Sequence, residues 1–152
     1  MSMLTYVFFA GPLPTPVAVT QSMQRLGLNF AISDPQQGEF TPMTYHEGAD
    51  TFETGVAIFE GSTAQTIDDL GIEGIDPKLK NMISFCWSTD LREGACAQAL
   101  AAAIATLTGG VIWVDSAREI ISVESAVGAC HGLIAVALDE VDELIDEDSA
   151  PT

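Results

Sequence analysis

Three features of the chain predict a single α+β domain. Short apolar runs bounded by turn residues recur along the 152 residues and read as strands. An uncharged, Ala-rich helical stretch, Asp90 to Gly109, lies between two of them, ISFCW and GVIWV. The last part of the chain places apolar residues at three- and four-residue steps, the mark of an amphipathic helix. The expected architecture is a mixed or mostly antiparallel sheet packed by the central helix and the C-terminal helix. The domain is expected to span residues 1–147, with 148–152 a frayed tail, and no linker is long enough to divide it.

Taken in order, Leu4 to Ala10 predicts a buried first strand that stops at Gly11-Pro12. Thr15 then caps a short helix with Pro16 in its first turn, where a missing N–H costs nothing. Val17, Val19, Met23 and Leu26 supply its apolar contacts up to Gly27. Leu28, Phe30 and Ile32 alternate with Asn29, Ala31 and Ser33, a half-buried strand that completes a β-α-β start. Phe40, Met43 and Tyr45 could form a strand, but Pro42 demotes it to an edge or an irregular segment. Thr54 to Phe59 is the better strand, and Ser62 caps a weak helix that runs through Leu70 to Gly71.

Met82 to Trp87 and Val111 to Val114 read as strands around the Ala-rich helix. That helix starts at a capping-box-like Asp90 and Glu93 and stops at Gly109-Gly110. No charge occurs between Gly94 and Val114, so the helix should be covered on most sides and lie close to a neighbouring backbone. A run of this length could span a bilayer, but Gln98, the threonines and the double glycine argue against a membrane. Glu119 to Val123 is a short strand. From Glu124 onward, Val127, Cys130, Ile134, Ala137 and Leu138 form one greasy face, and Asp139, Asp142, Glu143 and Asp146 fall opposite it.

Composition narrows the function classes. The chain carries 22 acidic against 5 basic residues, a formal charge of −17, which excludes nucleic acid as a partner because a phosphate backbone demands Lys and Arg. A basic partner suits this charge; solubility and adaptation to high salt, as in a structural or oligomeric protein with an acid-rich solvating surface, suit it as well. Cys86, Cys96 and Cys130 are odd in number and sit in apolar segments, as core thiols of a reducing compartment do. The N-terminus has no basic residue ahead of its apolar patch, so no signal peptide is expected and the localisation inferred is cytoplasmic.

The search for chemistry finds no nucleophile, base and oxyanion donor together. Cys130 and His131 are neighbours in sequence, and neighbours on a helix point about 100° apart, so they do not make a dyad. His46, Glu47, Asp50 and Glu53 would be the centre of a polar site if the protein were a small enzyme or ligand-binding domain. Their spacing matches no metal motif, and an exposed loop is the simpler account. No calcium loop, phosphate-cradling glycine motif or cofactor signature occurs, so no cofactor is expected.

Charge arrangement is the stronger signal. Between Leu26 and Pro77 there are ten acidic residues and no Lys or Arg; after Arg118 there are nine more acids and again no base. Tyr45 through Phe59, Ile83 to Trp87, and an Ala-rich helix closed by LTGGVIWVD at Leu107 to Asp115 together resemble small acidic bacterial proteins. These are encoded beside polymorphic toxins as their immunity proteins; the resemblance covers about residues 41–116. It implies a non-enzymatic inhibitor that binds a cognate toxin domain, often a nuclease or other basic enzyme, in the cytoplasm. No functional residue transfers from it. The interface expected from charge alone comprises Asp139, Asp142, Glu143 and Asp146 on the last helix, with Glu47, Asp50 and Glu53 in the middle segment.

Overall fold

The computed structural model describes residues 2–149, with side chains through Asp139. Its centre strand is β1 (Met3–Phe9), which pairs with β6 (Asn81–Trp87) on one side and β7 (Val111–Val114) on the other. β5 (Ala57–Ser62) and β8 (Glu119–Ile121) complete a five-stranded sheet in the order β5-β6-β1-β7-β8, antiparallel throughout. Because β6 and β7 are each antiparallel to β1, they run parallel to one another. The strand-helix-strand unit seen in the sequence is thus a crossover with β1 inserted between its strands.

A second sheet of three antiparallel strands, β2 (Phe30–Ile32), β3 (Met43–Glu47) and β4 (Asp50–Thr54), stands apart from the first. Three expectations change here. The β-α-β start does not close within one sheet, since β2 pairs with β3 and not with β1. The segment that Pro42 was expected to demote is the middle strand. Pro42 sits one residue before the ladder begins at Met43, so its missing N–H removes no ladder bond, and its carbonyl accepts from Ser33 N–H at 2.9 Å. The strand expected over Thr54 to Phe59 is divided at Gly55-Val56: Thr54 pairs with Met43 in the small sheet, and Ala57 pairs with Cys86 in the large one.

The helices follow their caps. Thr15 Oγ1 accepts from Ala18 N–H at the start of α1 (Pro16–Arg25), and Pro16 occupies its first turn. Val19 and Met23 on α1 are fully buried, whereas Val17, expected inside, is 51% exposed because it lies on the far side of the turn. Ser62 caps α2 (Thr63–Leu70), and Gly71 at φ 65° closes it. α4 (Val123–Ser149) starts at Ser122, whose hydroxyl accepts from Ser125 N–H, and it continues unbroken through Gly128 and Gly132. Asp148 and Ser149, two residues expected to fray, are helical; Ala150 to Thr152 lie outside the described residues.

The core is built on α3 (Leu91–Thr108). Every residue from Gly94 to Ala105 is buried, so no face of this stretch reaches water. The five-stranded sheet covers one side through Val7, Phe9, Ile83 and Phe85, while α1 and α4 cover the others. A helix that is apolar all round must be enclosed in this way, and Ala keeps the enclosing backbones near. Asp90 accepts from Arg92 N–H at its start. The two terminal glycines do different jobs: Gly109 adopts φ 68°, whereas a Cβ on Gly110 would meet the Phe8 carbonyl at 2.6 Å. The opposite face of the sheet holds a smaller core of Tyr6, Phe8 and Trp113 under α2 and Ile72.

Two substitutions test this enclosure. Ala102→Leu adds volume where none is free and is expected to lower stability by about 1–3 kcal/mol in chemical denaturation. Gly94→Ala should also destabilise, by about 1 kcal/mol or more, although Ala is the better helix former. A Cβ there would fall 2.7 Å from the Trp87 ring, so the tryptophan emission should shift with it. A stabilised Gly94→Ala protein would contradict the packing.

Candidate functional site

The middle acidic residues are carried by a tight hairpin. β3 and β4 are joined through Gly48 and Ala49, with Gly48 at φ 61°, a conformation that suits glycine. Glu47 and Asp50 are thereby set directly opposite one another at the tip, Tyr45 opposite Phe52, and Met43 opposite Thr54. These pairs share one face of the sheet, because residues two apart lie on the same side of a strand. His46 faces Thr51 and Thr44 faces Glu53 on the other. The pleat therefore separates the polar set considered from sequence: Glu47 and Asp50 are on one side, His46 and Glu53 on the other. Among the described residues no group of three or more His, Cys, Asp and Glu side chains could hold a metal ion.

The hairpin is a paired element rather than an exposed loop, and aromatic packing fixes it. Phe30, Tyr45 and Phe52 cluster, with Tyr45 and Phe52 stacked at 4.9 Å between ring centroids. Arg92, from the first turn of α3, lies over the Phe52 ring at 5.2 Å. Tyr45 donates its hydroxyl hydrogen to Glu47 Oε2 at 2.5 Å. Burial, that hydrogen bond and the negative charge of Glu47 and Asp50 push the Tyr45 hydroxyl up to about 12. Tyr45, which the sequence did not point to as a partner of Glu47, anchors that carboxylate. The available signal was the period-two alternation of Met43 and Tyr45, then Phe52 and Thr54, around Gly48-Ala49.

His46 is exposed, its Nδ1 2.7 Å from Thr51 Oγ1. Glu47, Asp50 and Glu53 are exposed, as is Asp139 on α4. The side chains of Asp142, Glu143 and Asp146 lie outside the described residues. Hairpin and α4 thus each present exposed acid.

Cys130 points inward and donates its thiol hydrogen to the Ala95 carbonyl at 3.3 Å, while His131 is exposed. Burial pushes the Cys130 thiol up to about 12, far from the thiolate a nucleophile needs. Cys96 is raised as well, by burial first and then by its neighbours Cys130 and Glu93. All three cysteines are free. Cys86, expected in the core, is only half-buried, because its side of β6 faces a cleft between the sheet and α2. No described helix is long and apolar enough to cross a membrane.

The chain matches no family model, no curated protein and no solved structure. Its functional assignment therefore rests on charge and geometry.

Two measurements check this site. A thiol reagent near pH 8 should label Cys86 in the native protein, with Cys96 and Cys130 reacting only after denaturation. Fast labelling of Cys130 would contradict its inward position. Tyr45 is also expected to stay protonated in the folded protein well above about pH 10, where a free tyrosine ionises. Between that pH and about 12 the unfolded chain binds fewer protons than the native one, so stability should fall as pH rises. Tyrosinate absorbance in native and denatured protein separates the two titrations, and coincident curves would contradict the buried, Glu47-bonded hydroxyl.

Proposed function

We propose that the protein is a non-enzymatic binding protein that neutralises a basic bacterial toxin domain by docking it on an acidic surface. The observation that carries this reading is the arrangement of charge. Ten acids and no Lys or Arg lie between Leu26 and Pro77. Within that stretch, Glu47 and Asp50 face each other at an exposed hairpin tip. Like charges directly opposite across an antiparallel pair destabilise it. A Lys or Arg of a partner placed between them turns that repulsion into attraction, so the arrangement favours the complex over the free protein.

Two of the five bases pack on aromatic rings. Arg92 lies over Phe52; Arg118 lies over the Trp113 ring at 5.4 Å and donates to the Leu70 carbonyl at 3.0 Å. The acid field outside these sites should raise the association rate of a cationic protein and should weaken with salt. Free thiols throughout accord with a reducing, cytoplasmic setting. His46 and Glu53 lie on the opposite face of the hairpin from Glu47 and Asp50, which supports the binding reading over a site built from all four.

The test is association kinetics with the product of the adjacent reading frame, at about 20 mM and about 150 mM salt. Asp50→Lys, and separately Asp142→Lys with Asp146→Lys, should slow association several-fold at low salt and less at high salt. Asp50→Lys should at the same time leave thermal stability unchanged or raise it by roughly 0.2–1 kcal/mol, since it replaces a like-charge pair with an opposite one. Failure of the two products to form a complex, or on-rates indifferent to all three reversals at low salt, would overturn the proposal.

A further inference from the structure

We infer that the free edge of β5 is the docking strand, and that its occupant is an extended segment of the cationic partner in which Lys or Arg alternates with apolar residues. The inference rests on the binding-protein reading above and names the surface and the recognition mode.

β5 ends the order of the large sheet and pairs on one side only, with β6. Five of its six residues are exposed, and Phe59 is 57% exposed. Exposed edges are ordinarily blunted by Lys, Pro or a bulge. The sequence Ala57-Ile-Phe-Glu-Gly-Ser62 contains neither residue, and its register with β6 runs through six consecutive pairs without interruption. Glu60 is the one charge on this edge, so the strand is open to a further strand that brings positive charge to it.

The two faces of this strand each border a cleft. On the α3 side, a cleft of about 400 Å³ is lined by Leu13, Phe40, Ile58 and Ile83, with Glu39 and Glu60 among its walls. On the α2 side, a cleft of about 490 Å³ is lined by Tyr6, Phe59, Ser84 and Cys86, with Thr66 and Asp69. An added strand sends alternate side chains to opposite faces, so one short segment bonding the β5 edge would set side chains beside Ile58 and Glu60 at the rim of the first cleft and beside Phe59 at the rim of the second. Each cleft offers apolar wall and carboxylate and no Lys or Arg, which fits a cationic, amphipathic strand. A second copy of this chain fits poorly, because it carries the same −17 charge and would bring like charge to this edge.

The probe is a synthetic peptide of about nine residues alternating Lys and Val, with two controls: the same peptide N-methylated at alternate backbone nitrogens, and a Glu-Val peptide. Amide hydrogen exchange of the full-length protein and peptide fluorescence anisotropy are the readouts. The expected result is protection of the β5 amides and an affinity that falls about tenfold or more on backbone methylation. Phe59→Lys, and Glu39→Lys with Glu60→Lys, should weaken binding by about tenfold, and Asp139→Lys by less than about twofold. All are exposed positions, and circular dichroism checks that each variant folds.

Equal binding of the methylated or the Glu-Val peptide would overturn the inference, as would equal loss on every charge reversal. A dimer in sedimentation that Phe59→Lys dissolves would overturn it in favour of a second copy. If the peptide does not dock on β5 while the adjacent gene product still binds, this inference alone fails. If the peptide docks and the gene product does not bind, the toxin-neutralising reading fails and the edge remains a strand-binding site.

Discussion

Close enclosure of α3 is the constraint on which the rest of the structure depends. A helix buried over twelve consecutive residues, Gly94 to Ala105, has no face on which a charge could be solvated. Its side chains must also be small, because the sheet, α1 and α4 all reach its surface. The one polar side chain inside this stretch, Gln98, donates to Thr5 Oγ1 at 3.2 Å. Among the described residues its Oε1, like Trp87 Nε1, is buried without a hydrogen-bond partner, at about 1–3 kcal/mol each. The enclosure tolerates these costs because the apolar area around them is large. Neighbouring elements are shaped to match: Trp87 lies where Gly94 has no Cβ, Ser22 donates to the Ala103 carbonyl, and Cys130 donates to the Ala95 carbonyl.

A neutral interior of this kind sends the charge outward. β1 serves two cores at once, with Val7 and Phe9 toward α3 and Tyr6 and Phe8 toward α2, so both faces of the central sheet are covered. Exposed acid lies on what remains: among the described residues, on the β3–β4 hairpin, on α2 and the turns after it (Asp68, Asp69, Glu73, Asp76), at Glu60 of β5 and at Asp139 of α4. The hairpin is stiffened by its aromatic cluster and by the Tyr45–Glu47 bond, which gives the tip carboxylates a defined geometry. An acidic surface held this firmly suits recognition better than one carried by a mobile loop, since less side-chain and loop ordering remains to be done on binding.

Local features were legible wherever the physics is local. Thr15-Pro16, Ser62 with Gly71, and Asp90 with Gly109 mark helix ends in the sequence because a cap needs only residues within one turn. Burial of the Ala-rich helix was legible because an uncharged helix has few other places to be. The candidate site was legible in composition, as a surplus of acid, but its arrangement was not. Which residue of β4 stands opposite Glu47 depends on a two-residue turn, and a shift of one residue would bring a threonine there in place of Asp50.

The amino-acid sequence by itself determined the class of fold, the identity of the four helices and the capped ends of the first three, the neutrality of the core and the sign of the surface. These follow from propensity, capping and periodicity, which act over a few residues. Only the tertiary structure decided which strands share a sheet. Pairing of β1 with β6 and β7 joins segments far apart in the chain, and an apolar strand carries no label for its partner. For the same reason Thr54 and Ala57, three positions apart, belong to different sheets, and Pro42 precedes a central strand instead of spoiling an edge. The open side of β5 is a consequence of that sorting, visible only once every other strand has taken its neighbours.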